Sequence, residues 1–221
     1  MQNVETSTLK TLRSGFFYLF IAMGMLIVVT VMPAIFTYVS SLIGIINMVI
    51  FVIVLLLSIV VVFLYAIFGK IRPGMRRLSE VDNGFRICYT GTTLMLVGLA
   101  MLAFGTGIGM MIGVATSMTS VEIENAVLMA LALGWFYTGY IITFVGYVLT
   151  FVVGAIKLYR KYRTPLYMAA GILFVLDIFL APIGLLRLDA VLTLAGLGIA
   201  AVGYALMYIA LGNTIKKLNT Q

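Results

Sequence analysis

A chain of 221 residues that is 63% hydrophobic and 10% charged lies outside the range of ordinary soluble domains, which are roughly 45–50% apolar and about 25% charged. Its formal charge of +7 invites a nucleic-acid reading. That reading is excluded because the basic residues sit at the ends of long apolar runs, where cytoplasmic loops collect Lys and Arg. With no histidine and a single cysteine, Cys88, the chain has no His-ligated haem, His-based zinc site, His general base or internal disulfide of its own.

Six apolar runs are each long enough to cross a bilayer core, which takes about 20 residues per helix. They are Gly15–Tyr38, Leu42–Phe68, Gly91–Ala115, Ala126–Ile156, Tyr167–Leu186 and Ala190–Leu211. The first exceeds a signal-peptide core and is expected to remain as an anchor. Between the runs, thirteen of the fourteen basic residues fall into four clusters. Lys10 and Arg13 precede the first run. Lys70, Arg72, Arg76, Arg77 and Arg86 follow the second, in what reads as a loop. Lys157, Arg160, Lys161 and Arg163 follow the fourth, and Lys216 and Lys217 close the chain. Only Arg187 lies in the other connections. The expected architecture is one all-α membrane domain over residues 1–221, with six transmembrane helices and both termini cytoplasmic. Val39-Ser40-Ser41 and Arg187-Leu188-Asp189 are tight enough to force antiparallel neighbours. Thr119-Ser120-Val121-Glu122 fits a capping box that would start the fourth helix, with Thr119 as N-cap.

Small residues recur at four-residue spacing. Gly105, Gly109 and Gly113 mark one face of the third run, Gly146, Thr150 and Gly154 the fourth, and Gly196, Ala200 and Gly203 the sixth. Such stripes let membrane helices approach closely. They serve either oligomerisation or packing within the chain, and three stripes in one bundle favour packing within the chain.

Asp177 is the sole acidic residue inside a run, near mid-depth, where burying a carboxylate costs about 2.5–3.5 kcal/mol on insertion scales. Thr30, Ser58, Thr106, Tyr140 and Thr143 lie at a similar level, and no Lys or Arg does. Asp177 is therefore expected to be protonated and hydrogen-bonded, with Tyr140 and Thr143 as partners. It acts either as a tether between helices or as a proton or cation site. Pro33 and Pro182 each free a backbone carbonyl and kink their helices. The cluster Lys70, Arg72, Arg76 and Arg77 reads as a topology anchor or a short amphipathic segment on the inner leaflet, ended by the turn Asp82-Asn83-Gly84. Tyr38, Tyr65, Tyr89, Tyr159, Tyr162 and Tyr167 read as interface anchors, and Trp135 and Tyr137 as packing groups.

No phosphate-binding loop, dinucleotide fingerprint, metal-ligand spacing or paired carboxylate stands in the sequence. The chain reads as a non-enzyme without cofactor or metal. Its partners would be the lipid bilayer and either itself or another membrane protein, and not nucleic acid. Its role would be structural or accessory, with a small transporter or channel built on Asp177 as the alternative.

Leu9-Lys10-Thr11-Leu12-Arg13-Ser14-Gly15 enters the first run. Leu78-Ser79-Glu80-Val81-Asp82 and Tyr89-Thr90-Gly91-Thr92 lead into the third. Leu211-Gly212-Asn213 with Leu218 closes the last. These segments resemble an archaeal membrane-protein family catalogued as domain of unknown function 973. The resemblance implies an archaeal source and a multi-pass cell-membrane location, and it carries no functional residue with it.

Overall fold

The computed structural model describes residues 2–43, 45–118, 122–187 and 189–220, with side chains for 4–32, 50–112, 127–180, 183, 187 and 189–220. Among the described residues, eight α-helices follow one another: α1 Gln2–Ile43, α2 Ile45–Leu64, α3 Arg72–Val81, α4 Arg86–Met118, α5 Glu122–Tyr147, α6 Val153–Tyr162, α7 Pro165–Arg187 and α8 Ala190–Asn219. No strand occurs among the described residues. Among the described residues, five helical stretches are long and apolar enough to span a membrane: Val4–Met32, Ile50–Val81, Asn83–Ile112, Val127–Tyr162 and Ala190–Asn219. The fifth expected span falls on α7, whose described apolar stretch, Pro165–Leu180, is shorter. Leu57, Val60, Val61, Leu131 and Ile141 are all more than half exposed, an apolar surface suited to lipid rather than water.

The basic segments expected as loops are helical. A π turn over Tyr65–Ile71 joins α2 to α3 without a break, and a second over Val148–Val152 joins α5 to α6. The rod Ile45–Val81 is therefore about 55 Å long, against a hydrocarbon core of about 30 Å. Lys70, Arg72, Arg76 and Arg77 ride on its end. α3 does not lie apolar-side-down as a free surface segment: Gly74, Met75 and Leu78 are buried, and Leu12 of α1 sits against Gly74. Asp82 ends the helix by accepting a hydrogen bond from the Gly84 N–H at 2.8 Å.

Helix α6 ends on Arg163, a non-glycine residue in the left-handed region at φ 56°, whose N–H returns to the Tyr159 carbonyl. Pro165 then opens α7, where a missing N–H costs nothing. At the start of α8, the Asp189 carboxylate accepts from the Val191 and Leu192 N–H groups.

The chain forms two compact units, residues 1–86 with 151–221, and residues 87–150. In the first, α1 packs along α8, α2 and the first π turn, and α8 packs along α7. Its core is a knot of four fully buried rings, Phe16, Phe151, Phe174 and Tyr204, with neighbouring centroids 5.1–6.3 Å apart.

The second unit is the antiparallel pair α4 and α5. A Cβ placed on Gly91 would meet Leu149 and Thr150. One on Gly98 would strike Thr143 and Gly139, and one on Gly105 would lie 2.8 Å from the Phe136 nitrogen. From the other helix, Gly139 is equally closed by Leu102 and Gly98, and Gly146 by Met95 and Gly91. The contact thus repeats every seven residues on both helices, the period of a left-handed pair. The expected four-residue stripe on the third run is corrected accordingly. Gly105 belongs to the seam, but Gly109 has nothing within 4 Å of an added Cβ and borders a shallow apolar groove of about 350 Å³. Both π turns occur where a neighbouring glycine presses in, Gly15 on Ile71 and Gly91 on Leu149 and Thr150.

Candidate functional site

A cluster of charged and polar groups, Glu5, Lys161 and Tyr162, sits in the first unit. α1 continues well upstream of Gly15 because its apolar stripe does: Leu9, Leu12, Phe16 and Leu19 are buried at three- and four-residue intervals. That stripe carries Glu5 to the end of α6. Glu5 Oε1 lies 2.8 Å from Lys161 Nζ and accepts the Tyr162 hydroxyl at 2.6 Å. Both groups lie outside the apolar runs Gly15–Tyr38 and Ala126–Ile156, at the polar ends of their helices. Burial raises the Glu5 pKa, but hydrogen bonds from Lys161 and Tyr162, with the Lys161 charge, outweigh it and hold the carboxyl below its ordinary value. Burial, then the hydrogen bond to Glu5 and its charge, push the Tyr162 phenol up. At neutral pH the cluster is one carboxylate held by an ammonium and a phenol. A hydrogen bond to a charged group is worth about 1.5–3 kcal/mol, more than a typical exposed ion pair.

The network continues inward. Tyr167 and Thr214 share a buried hydrogen bond of 2.8 Å. Thr214 donates to the Ala210 carbonyl, so Tyr167 is the donor in that pair. On another face of α1, the Arg13 guanidinium stacks 4.3 Å from the Tyr208 ring centroid and donates to its hydroxyl at 2.9 Å. These contacts join α1 to α6 and to α8, and α7 to α8. They fasten helices together. Among the described residues no group of three His, Cys, Asp or Glu side chains is placed to hold a metal.

The family described as protein of unknown function (DUF973) matches residues 5–221. The chain belongs to that family. No curated protein and no solved structure matches it.

In this DUF973 protein Asp177 stands on α7, partly buried, within the first unit. Its proposed partners stand on α5 in the second unit. Tyr140 is 42% exposed, and Thr143 donates its hydroxyl to Gly139 of its own helix. The other mid-depth hydroxyls behave likewise: Thr30 donates to Leu26, Ser58 to Val54 and Thr106 to Leu102. Gly146, Thr150 and Gly154 are buried, and Thr150 Oγ1 has no hydrogen-bond partner among the described residues. Gly196, Ala200 and Gly203 are buried on α8, where Phe174 fills the space above Gly203. In the basic cluster, Arg76 pairs with Glu80 at 3.3 Å in an exposed contact, and Lys70 lies 5.5 Å from the Tyr65 ring. Trp135 packs edge-on against Phe104, while Tyr137 is 62% exposed. Pro33, Gly113, Thr119, Glu122 and Pro182 lie outside the residues whose side chains are described.

Sequence reasoning missed Glu5, Tyr204 and Tyr208. For Glu5 the signal was the apolar stripe running back past Gly15.

Proposed function

We propose that this DUF973 protein is a multi-pass cell-membrane protein of six spans, with both termini cytoplasmic, and that it serves as a non-catalytic structural or accessory component. It would work by helix packing against itself or a membrane partner, in an archaeal cell. The observation that carries this reading is the fate of the mid-span hydroxyls. Thr30, Ser58, Thr106 and Thr143 each donate to the carbonyl four residues back on their own helix. A transport path needs several polar groups converging on one cavity, and these protons are spent locally. Among the described residues, Glu5 with Lys161 and Tyr162, and Tyr167 with Thr214, tie helices near their ends.

The discriminating experiment is proton flux into vesicles carrying the purified protein and an internal pH dye. Flux is expected at the level of empty vesicles, unchanged by Asp177→Asn, since an amide replaces a neutral acid as a hydrogen-bonding group. Flux well above that level and abolished by Asp177→Asn would establish the transporter instead.

The topology rests on the thirteen basic residues that share one side when all six runs cross. In a Cys88→Ser background, Ser120→Cys should react with an impermeant thiol reagent from outside intact cells, and Arg76→Cys only after lysis. The reverse pattern would invert the orientation.

A further inference from the structure

We propose that the outward face of α1, between the first π turn and α8, is a binding seat for one anionic glycerophospholipid. Four rings form a continuous band across this face. Tyr65 meets Tyr18 edge-on at 5.1 Å, Tyr18 meets Phe17 at 6.1 Å, and Phe17 meets Tyr208 at 5.5 Å. A cation closes each end, Lys70 against Tyr65 and Arg13 against Tyr208. Both are held in place by glycines. Lys70 Cβ lies 3.0 Å from where a Cβ on Gly15 would be. Arg13 Cζ lies 3.2 Å from the same point on Gly212, so a larger residue there would press on the guanidinium. Lys10 is exposed one turn before Ser14 on the same face.

On all three helices the order is the same. The cations lie beyond the rings toward the helix ends, and Phe20 and Gly24 are exposed on the apolar side of the band. Apolar surface, then aromatic ring, then cation is the depth profile of acyl chain, glycerol backbone and phosphate in a leaflet. Charge sets the headgroup. Thirteen basic residues belong to this end of the bundle against three acidic ones, and all three acids are engaged elsewhere: Glu5 with Lys161, Glu80 with Arg76, and Asp82 with the Gly84 N–H. Among the described residues Lys10, Arg13 and Lys70 form no ion pair, so a phosphate without a compensating ammonium is the matching group.

The inference rests on the membrane-spanning reading but not on the accessory role. Its test is native mass spectrometry of the detergent-purified chain titrated with dioleoylphosphatidylglycerol or dioleoylphosphatidylcholine. The first phosphatidylglycerol is expected to bind at least about tenfold more tightly than phosphatidylcholine, at roughly fivefold per cation engaged. Arg13→Gln with Lys70→Gln should weaken it roughly 25-fold on the same scale. Arg160→Gln with Arg163→Gln, the same charge removed elsewhere at this end, should leave it within about twofold. If the first pair fails to fold, Lys10→Gln with Lys70→Gln touches no contact to α8 and should act in the same direction. Equal loss in the control pair, no preference between the two lipids, or displacement by equimolar soluble glycerol phosphate would each overturn the seat. Flotation with vesicles keeps the readings apart. A chain that does not float overturns the membrane reading, and one that floats without preferring phosphatidylglycerol overturns this inference alone.

Discussion

Gly98→Ala should destabilise the α4–α5 hairpin by about 2–3 kcal/mol, the cost of forcing extra volume into a packed contact. The added methyl would fall on the Thr143 backbone nitrogen and hydroxyl and on the Gly139 carbonyl. Backbone cannot swing aside as a side chain can, so the helices must part. Gly109→Ala is the matched control with the opposite sign. Nothing stands within 4 Å of its new methyl, and Ala is the better helix former, so a gain of about 0.4–1 kcal/mol is expected. Trp135, the one tryptophan, meets Phe104 edge-on across this hairpin and reports its opening by fluorescence during denaturation in detergent. Should the two variants unfold together, the seven-residue seam is not what holds the pair.

Phe151→Ala should cost the first unit about 2 kcal/mol, toward the low end for large-to-small core changes. Phe151 is fully buried and meets Phe16, Phe174 and Tyr204, rings contributed by α1, α7 and α8. Removing it leaves a cavity that three separate helices would have to move to fill. The loss stays below the usual figure in water because lipid is as apolar as the ring, so the packing part of the cost remains while the transfer part shrinks. Phe179→Ala, at a position 62% exposed, should change stability by less than about 0.5 kcal/mol. Thermal unfolding in mild detergent compares the two. Equal effects would mean that the ring knot contributes no special stability.

The helices were legible because apolar run length and the placement of Lys and Arg answer to one constraint, the bilayer. What followed from local spacing alone was less legible. Gly105, Gly109 and Gly113 invite a four-residue reading, whereas the neighbour meets Gly91, Gly98 and Gly105. Both patterns share Gly105, and only the partner's glycines at 139 and 146 choose between them. The segments after the second and fourth runs looked like loops because charge ends an apolar run. A helix does not end where apolarity ends: α3 keeps an apolar side, Gly74, Met75 and Leu78, for α1 to cover. Nothing in residue spacing announces a π turn, which answers to a neighbour's close approach. Asp177 could be recognised as exceptional from its depth, but its surroundings depend on helix rotation, which a sequence does not carry. Glu5 was hidden for a similar reason: its partners, Lys161 and Tyr162, lie more than 150 positions away.

The division of the chain into units sets an order on its synthesis. Residues 87–150 are contiguous, so the middle hairpin can close its glycine seam once α5 has left the ribosome. The other unit is built from the two ends of the chain, and α1 lies along α8, which is translated last. Until then the first-made helix waits in the membrane with Arg13 lacking Tyr208 and Phe16 lacking Tyr204. A nascent chain halted before Ala190 holds a finished hairpin and an unfinished first unit, with the α8-facing side of α1 still uncovered.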